Sequence, residues 1–190
     1  MTRMMIRFLV SVTFVLLAAF PAHAITRWQA VPDPQTITWT VMQGGSELKG
    51  ACSTFDSDIV FDPQDMTGAQ VTVTIDTGSC RTGDSEKDTY LPQNVWFDVA
   101  GFPRATFDAR SFEHLGGEQY VAHGKLTLKG VTQPLDLPFT LVISGDEAHV
   151  TGEAVLPRLD FGIGSGPQFS AASVVGLDVT VKIDLKAKRK

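Results

Sequence analysis

From Ile25 onward apolar and polar residues alternate with a period of two, the pattern of half-buried β-strands. Val71, Val73 and Ile75 alternate with Thr72, Thr74 and Asp76, and Leu126 and Leu128 with Lys125, Thr127 and Lys129. Val179, Val181, Ile183 and Leu185 alternate with Thr180, Lys182 and Asp184. Leu137, Phe139, Leu141 and Ile143 share one parity, as do Phe55, Ile59 and Phe61, and Ala105, Phe107 and Ala109. Ile37, Trp39 and Val41 alternate with threonines. Turn signals separate the runs: Gly44-Gly45, Asp62-Pro63, Gly78, Gly116-Gly117, Gly130, Ser144-Gly145-Asp146 and the glycine-rich stretch 162–166. Strands are predicted over 36–43, 49–61, 69–80, 105–112, 119–131, 135–144, 147–160 and 177–188. Only 84–94 reads as a helix, short, with Asp84 or Ser85 as N-cap and Pro92 disturbing its end.

These eight candidates, several of ten residues or more, predict an all-β fold. Long antiparallel strands need their edges closed or covered. An eight-stranded up-and-down barrel does this and can hold one small ligand. Periodicity alone also allows a sandwich. The inward positions are rich in Phe, Leu, Ile and Val and hold no acid, so the interior is either packed with side chains or an apolar cavity.

The first residues add a different signal. Arg3 and Arg7 precede an apolar run from Phe8 to Phe20, and Ala22-His23-Ala24 follows. This order reads as a secretory signal peptide cleaved after Ala24, with residues 25–190 as one exported, periplasmic domain. The 190-residue chain holds 16 basic and 21 acidic residues, a net charge of −5, which argues against a nucleic-acid partner. Cys52 and Cys80 are an even pair bound for an oxidising compartment, so a disulfide is expected. They do not form C-x-x-C, which argues against a redox-active pair. His114, His123 and His149 lack partners at metal-ligand spacing and read as outward strand residues, so no metal or cofactor is expected. No nucleophile elbow or phosphate loop occurs, and binding rather than catalysis is expected.

Read in order, the motifs carry a resemblance. Trp28-x-x-Val31, then Gln35-Thr36-Ile37-Thr38-Trp39, opens it, followed by Gly50-Ala51-Cys52-Ser53-Thr54-Phe55 and Ile59-Val60-Phe61-Asp62-Pro63. Val71-Thr72-Val73-Thr74-Ile75-Asp76, Thr82-Gly83-Asp84, Asp88-Thr89-Tyr90-Leu91, Trp96-Phe97-Asp98-Val99 and Phe102-Pro103-Arg104-Ala105-Thr106-Phe107 come next. Gly124-Lys125-Leu126-Thr127-Leu128-Lys129-Gly130-Val131, Asp160-Phe161-Gly162 and Val175-Gly176-Leu177-Asp178-Val179 complete the series. The chain resembles the YceI-like family of secreted, lipocalin-like lipid-binding proteins. It departs from the family pattern at Cys52, Cys80, Lys87, Tyr90 and Val95. The resemblance implies an eight-stranded antiparallel lipocalin-like barrel with an apolar tunnel, and an isoprenoid or quinone-like lipid as ligand. The glycine-rich 162–166 stretch is similar to a branch of the family associated with cytochrome b561-type membrane partners, so an accessory role in electron transfer through a bound quinone is the alternative. A second copy of the chain, as a homodimer, is a further candidate partner.

Binding a hydrocarbon chain requires apolar burial and little else, about 0.8 kcal/mol per CH₂. The candidate lining residues are therefore Phe55, Ile59, Phe61, Val73, Ile75, Phe107, Leu126, Leu128, Phe139 and Leu141. Leu91, Trp96, Phe97 and Phe102 flank the short helix as a lid or as core staples, and the first three are added to the lining set. Trp39 and Phe161 read as packing residues.

Overall fold

A computed structural model describes residues 26–190; the expected signal peptide lies outside the described residues. Eleven strands form one antiparallel sheet: β1 Arg27–Ala30, β2 Ile37–Gln43, β3 Ser46–Cys52, β4 Phe55–Val60, β5 Gln70–Asp76, β6 Cys80–Arg81, β7 Arg104–Gly116, β8 Gln119–Leu128, β9 Val131–Ser144, β10 Glu147–Pro157 and β11 Asp178–Arg189. The order is β1-β4-β5-β7-β8-β9-β10-β11-β2-β3-β6, and a further β1–β11 pairing closes the ring. β1 and β2 share one stave of the barrel, because β11 pairs first with β2 (Thr180↔Thr40 to Ile183↔Ile37) and then with β1 (Ala187↔Ala30 to Arg189↔Trp28). β3 and β4 share the next stave, and β6 extends that of β5. The architecture is thus the eight-stranded up-and-down barrel, with three staves interrupted.

The interruptions correct the predicted boundaries. The 49–61 run breaks at Ser53 and Thr54, where β3 turns to β6 and β4 to β5. β1 was not among the predicted strands. Pro32 and Pro34 separate it from β2, and the chain between bulges past Leu185: Val31 N donates to Lys186 O and Asp184 N to Thr36 O. The 69–80 and 147–160 runs end early in 3₁₀ turns, Thr77–Ser79 and Arg158–Phe161. Conversely, β7 extends beyond 105–112 and β9 begins at Val131 despite Pro134 and Pro138. β9 keeps its full ladder to β8, but its ladder to β10 stops at Phe139, next to Pro138. A proline offers no N–H to a ladder, and above this point β9 and β10 splay apart. The predicted 84–94 helix shortens to α1, Ser85–Asp88, with Asp84 as N-cap accepting from Glu86 N and Lys87 N.

Strand direction alternates, so the connections gather at two ends. The cap end carries the Gly44-Gly45 hairpin, β6, residues 82–103, the Lys129-Gly130 turn and residues 158–177. The opposite end carries 61–69, the 117–118 and 145–146 hairpins, Thr26 and Lys190. Two clusters make the core. One, near the end opposite the cap, gathers Trp28, Phe61, Tyr120, Leu141 and Leu185. The other packs Phe161 and Ile163 onto Phe107, Ala122 and Leu126, with Leu135, Leu137 and Leu156 beside the splay.

Candidate functional site: an apolar cavity along the barrel

Alternation places one face of every stave inward, and the inward side chains leave a cavity of about 280 Å³. Its wall runs from Ala148 and Ala187 to Thr77 and Leu91, along the barrel axis. The sequence-derived candidates stand at this wall: Phe55 and Ile59 from β4, Phe61 just beyond it, Val73 and Ile75 from β5, Phe107 from β7, Leu126 and Leu128 from β8, and Phe139 and Leu141 from β9. Leu91, Trp96 and Phe97 reach it from the segment after α1. Phe102 does not: its ring lies against Gly130 at the surface, and its carbonyl accepts from Thr77 Oγ1 at 2.9 Å. Trp39 and Phe161, read as packing residues, also line the cavity. So do Val179, Val181, Ile183 and Leu185 of β11, whose parity was legible in the sequence.

The end opposite the cap is narrowed by aromatic rings. Phe61 meets Phe112 edge-on at 5.1 Å between centroids, and Phe139 at 6.1 Å. Trp28 closes the same region, its Nε1–H donating to Phe61 O at 2.9 Å. Cys52 and Cys80 face one another across β3 and β6 and form a disulfide, also at the cavity wall.

Sequence reasoning missed Arg158. It is only 3% exposed and lines the cavity as its one ionisable side chain among the described residues. Its five N–H donors all go to backbone carbonyls: Nε to Gly176, Nη1 to Ile163 and Gly164, and Nη2 to Val175 and Phe169. One guanidinium thus organises the 162–176 loop, and burial pushes its pKa below the ordinary value. Two further bonds fix this loop: Gly164 N donates to Val95 O at 2.7 Å, and Lys129 Nζ to Gly162 O at 2.8 Å. A lone arginine after Pro157 carries no sequence signal of this role, because its acceptors are backbone atoms up to 18 residues away.

Of the described histidines, His123 and His149 lie on the outer wall, where His123 Nδ1 contacts Asp136 Oδ1 at 2.8 Å and His149 Nε2 contacts Asp184 Oδ1 at 2.7 Å. His114 departs from the outward position expected of it: the register shift between Ala109 and Ser111 puts it on the parity of Phe112, opposite Tyr120, and its exposed ring stacks on that buried tyrosine. Among the described residues no group of three or more His, Cys, Asp or Glu is placed to hold a metal ion.

Comparison with known proteins gives this architecture a family. The model of the YceI-like domain matches residues 28–187. The chain belongs to the YceI-like family. Proteins called YceI from Salmonella arizonae and Salmonella heidelberg are 38% identical over 104 residues, 55% of this chain. The chain spans about half the length of these relatives, 54%. Among solved structures, BcnA of Burkholderia cenocepacia superposes with a TM-score of 0.77 at 28% identity, covering 80% of this chain and 95% of BcnA. A polyisoprenoid binding domain from Saccharophagus degradans, implicated in plant cell wall breakdown, shares the fold with a TM-score of 0.69 at 14% identity, covering 86% of this chain and 98% of that domain. Family membership accounts for the barrel.

Proposed function

We propose that the protein binds an isoprenoid-type lipid inside the barrel and carries or sequesters it in the periplasm. The observation that carries the reading is the lengthwise cavity, walled by aliphatic and aromatic side chains from every stave. A ligand there gains from apolar burial, roughly 3–4 kcal/mol gross for each five-carbon unit. A few units offset the cost of association. The polyisoprenoid-binding description of the Saccharophagus degradans domain supports the same ligand class. The Cys52–Cys80 disulfide supports an oxidising compartment. The wall among the described residues is almost wholly aliphatic and aromatic, which supports binding as the role proposed.

Native mass spectrometry of protein purified from the periplasm tests this reading. A co-purifying isoprenoid, or stoichiometric uptake of added polyprenol, is expected. A lipid-free protein that takes up no polyprenol would overturn it. A quinone among the co-purified lipids would move the role toward electron transfer with a membrane cytochrome.

A further inference from the structure

The breaks within the staves are stitched by bonds. Val31 N–H to Lys186 O and Asp184 N–H to Thr36 O tie the β1–β2 bulge to β11. At the β3–β4 break Thr54 N donates to Ser79 Oγ and Asp76 N to Thr54 O, and the Cys52–Cys80 disulfide joins β6 to β3. The gap between β9 and β10 differs. Past the Gly152↔Phe139 pair, no backbone hydrogen bond among the described residues joins 131–138 to 153–157. Lys129 Nζ, bonded to Gly162 O, closes only the wide end of the gap. β3 also has an unpaired edge over 46–50, but none of those residues lines the cavity.

Prolines build this gap into the chain. Leu141 N donates to Glu118 O, on the β8 side, so the N–H positions of even-numbered β9 residues face β10. Arg158 N donates to Leu177 O, on the β11 side, so those of odd-numbered β10 residues face β9. Pro134 and Pro138 on β9 and Pro157 on β10 stand at such positions and have no N–H to give. The lips therefore cannot zip into a full ladder, and they make a poor template for an added strand. Behind them lies the cavity: Leu135 and Leu137 on one lip and Ala154 and Leu156 on the other belong to its wall. Only side chains fill the gap, the three leucines packing with Phe161 and Ile163.

We propose that the lipid threads into and out of the cavity sideways, through the gap between β9 and β10, with Leu135, Leu137 and Leu156 as its gate. The proposal rests on the lipid-binding reading above and adds the route. Entry by the cap means lifting the 162–176 loop off the five bonds of Arg158 and breaking the bond from Gly164 N to Val95 O. Entry at the other end means parting the rings of Phe61, Phe112 and Phe139 and disturbing the bond from Trp28 Nε1 to Phe61 O. At the gap the leucines change rotamer and no hydrogen bond is lost. Rotamer changes are fast, whereas opening a bonded segment is a local unfolding step. Val155, exposed on the outer side of the β10 lip, gives an arriving hydrocarbon an apolar first contact.

Stopped-flow tryptophan fluorescence with farnesol tests the route, since Trp28, Trp39 and Trp96 line the cavity. One variant, Asp136→Cys/Val155→Cys, carries a thiol on each lip and is joined by a bis-maleimide, a reagent that leaves the Cys52–Cys80 disulfide intact. A second, Val95→Cys/Gly166→Cys, locks the cap loop to the 82–103 segment by a disulfide, at a pair where a Cβ on Gly166 would lie 2.9 Å from Val95 Cγ2. Linking the lips slows uptake and release together by about ten-fold or more, relative to the same variant capped with N-ethylmaleimide, and leaves the equilibrium affinity unchanged, because a barrier raised on one shared route acts in both directions. Locking the loop leaves both rates at their wild-type values. Unchanged rates after lip linking, or slowed rates after loop locking, overturn the proposal while the lipid-binding reading survives. If the wild-type protein takes up no farnesol, that reading falls and the route with it.

Discussion

His123 stands on the outer wall with Asp136 Oδ1 2.8 Å from Nδ1 and Glu113 Oε2 3.6 Å from Nε2. The hydrogen bond to Asp136, helped by Glu113, raises its pKa above the ordinary 6.5. The folded state therefore holds the proton more tightly than the unfolded chain. The stabilisation is fully present below pH 6.5 and is lost as pH rises through the raised value. The stability gap between wild type and His123→Gln should accordingly hold below pH 6.5 and shrink as the pH rises above it. Thermal melts that run parallel through that rise would remove His123 as the cause. The effect is small, because the group is exposed and screened. Legibility at this scale was uneven. The outward position of His123 followed from its parity, but its partners sit on neighbouring strands and needed the register. Gly124 reads as a gap in an alternating strand. The fold shows that the Phe107 ring occupies the space, since a Cβ there would lie 2.7 Å from that ring.

The staves show where local pattern stops informing. Alternation continues through Ser53-Thr54, so a single strand was expected. The break arises because β3 pairs with β2 and β6, while β4 pairs with β1 and β5. β6 is only Cys80–Arg81, and two residues cannot hold a strand edge by hydrogen bonds alone. The disulfide between Cys52 and Cys80, 28 residues apart in sequence, fastens it. Replacing both cysteines with serine should cost about 3–4 kcal/mol by the chain-entropy account, and loosen β6 and the adjoining 82–103 segment. Urea unfolding reads the first effect and amide exchange the second. Unchanged stability in the double variant would show that the bridge is dispensable. The short helix was legible from Asp84, whose carboxylate caps Glu86 and Lys87. Its length was overestimated, because the chain after Thr89 folds into successive turns that place Leu91, Trp96 and Phe97 against the cavity.

For the molecule as a whole, the proposed function depends on the cavity staying apolar along its length. Leu128→Arg tests this at a stave end that borders the cavity: a charge forced into the wall is costly without a partner. Uptake of a polyprenol should be abolished, while far-ultraviolet circular dichroism reports a folded barrel. Normal uptake by the folded variant would mean that Leu128 does not border the ligand. The sequence by itself determined which residues face inward, because side chains alternate across a strand and one parity must be buried wherever it is greasy. It thereby specified an all-β fold with an apolar interior and named part of the wall; the barrel itself came from the family resemblance and the pairing of β1 with β11. Only the tertiary structure decided that the interior keeps a cavity, that Pro138 ends the β9–β10 ladder, and that Arg158 holds the cap through five carbonyls. A void is the volume left between side chains from all eight staves, and a buried arginine is tolerable only where distant backbone turns to meet it. Neither quantity is a property of neighbouring residues along the chain.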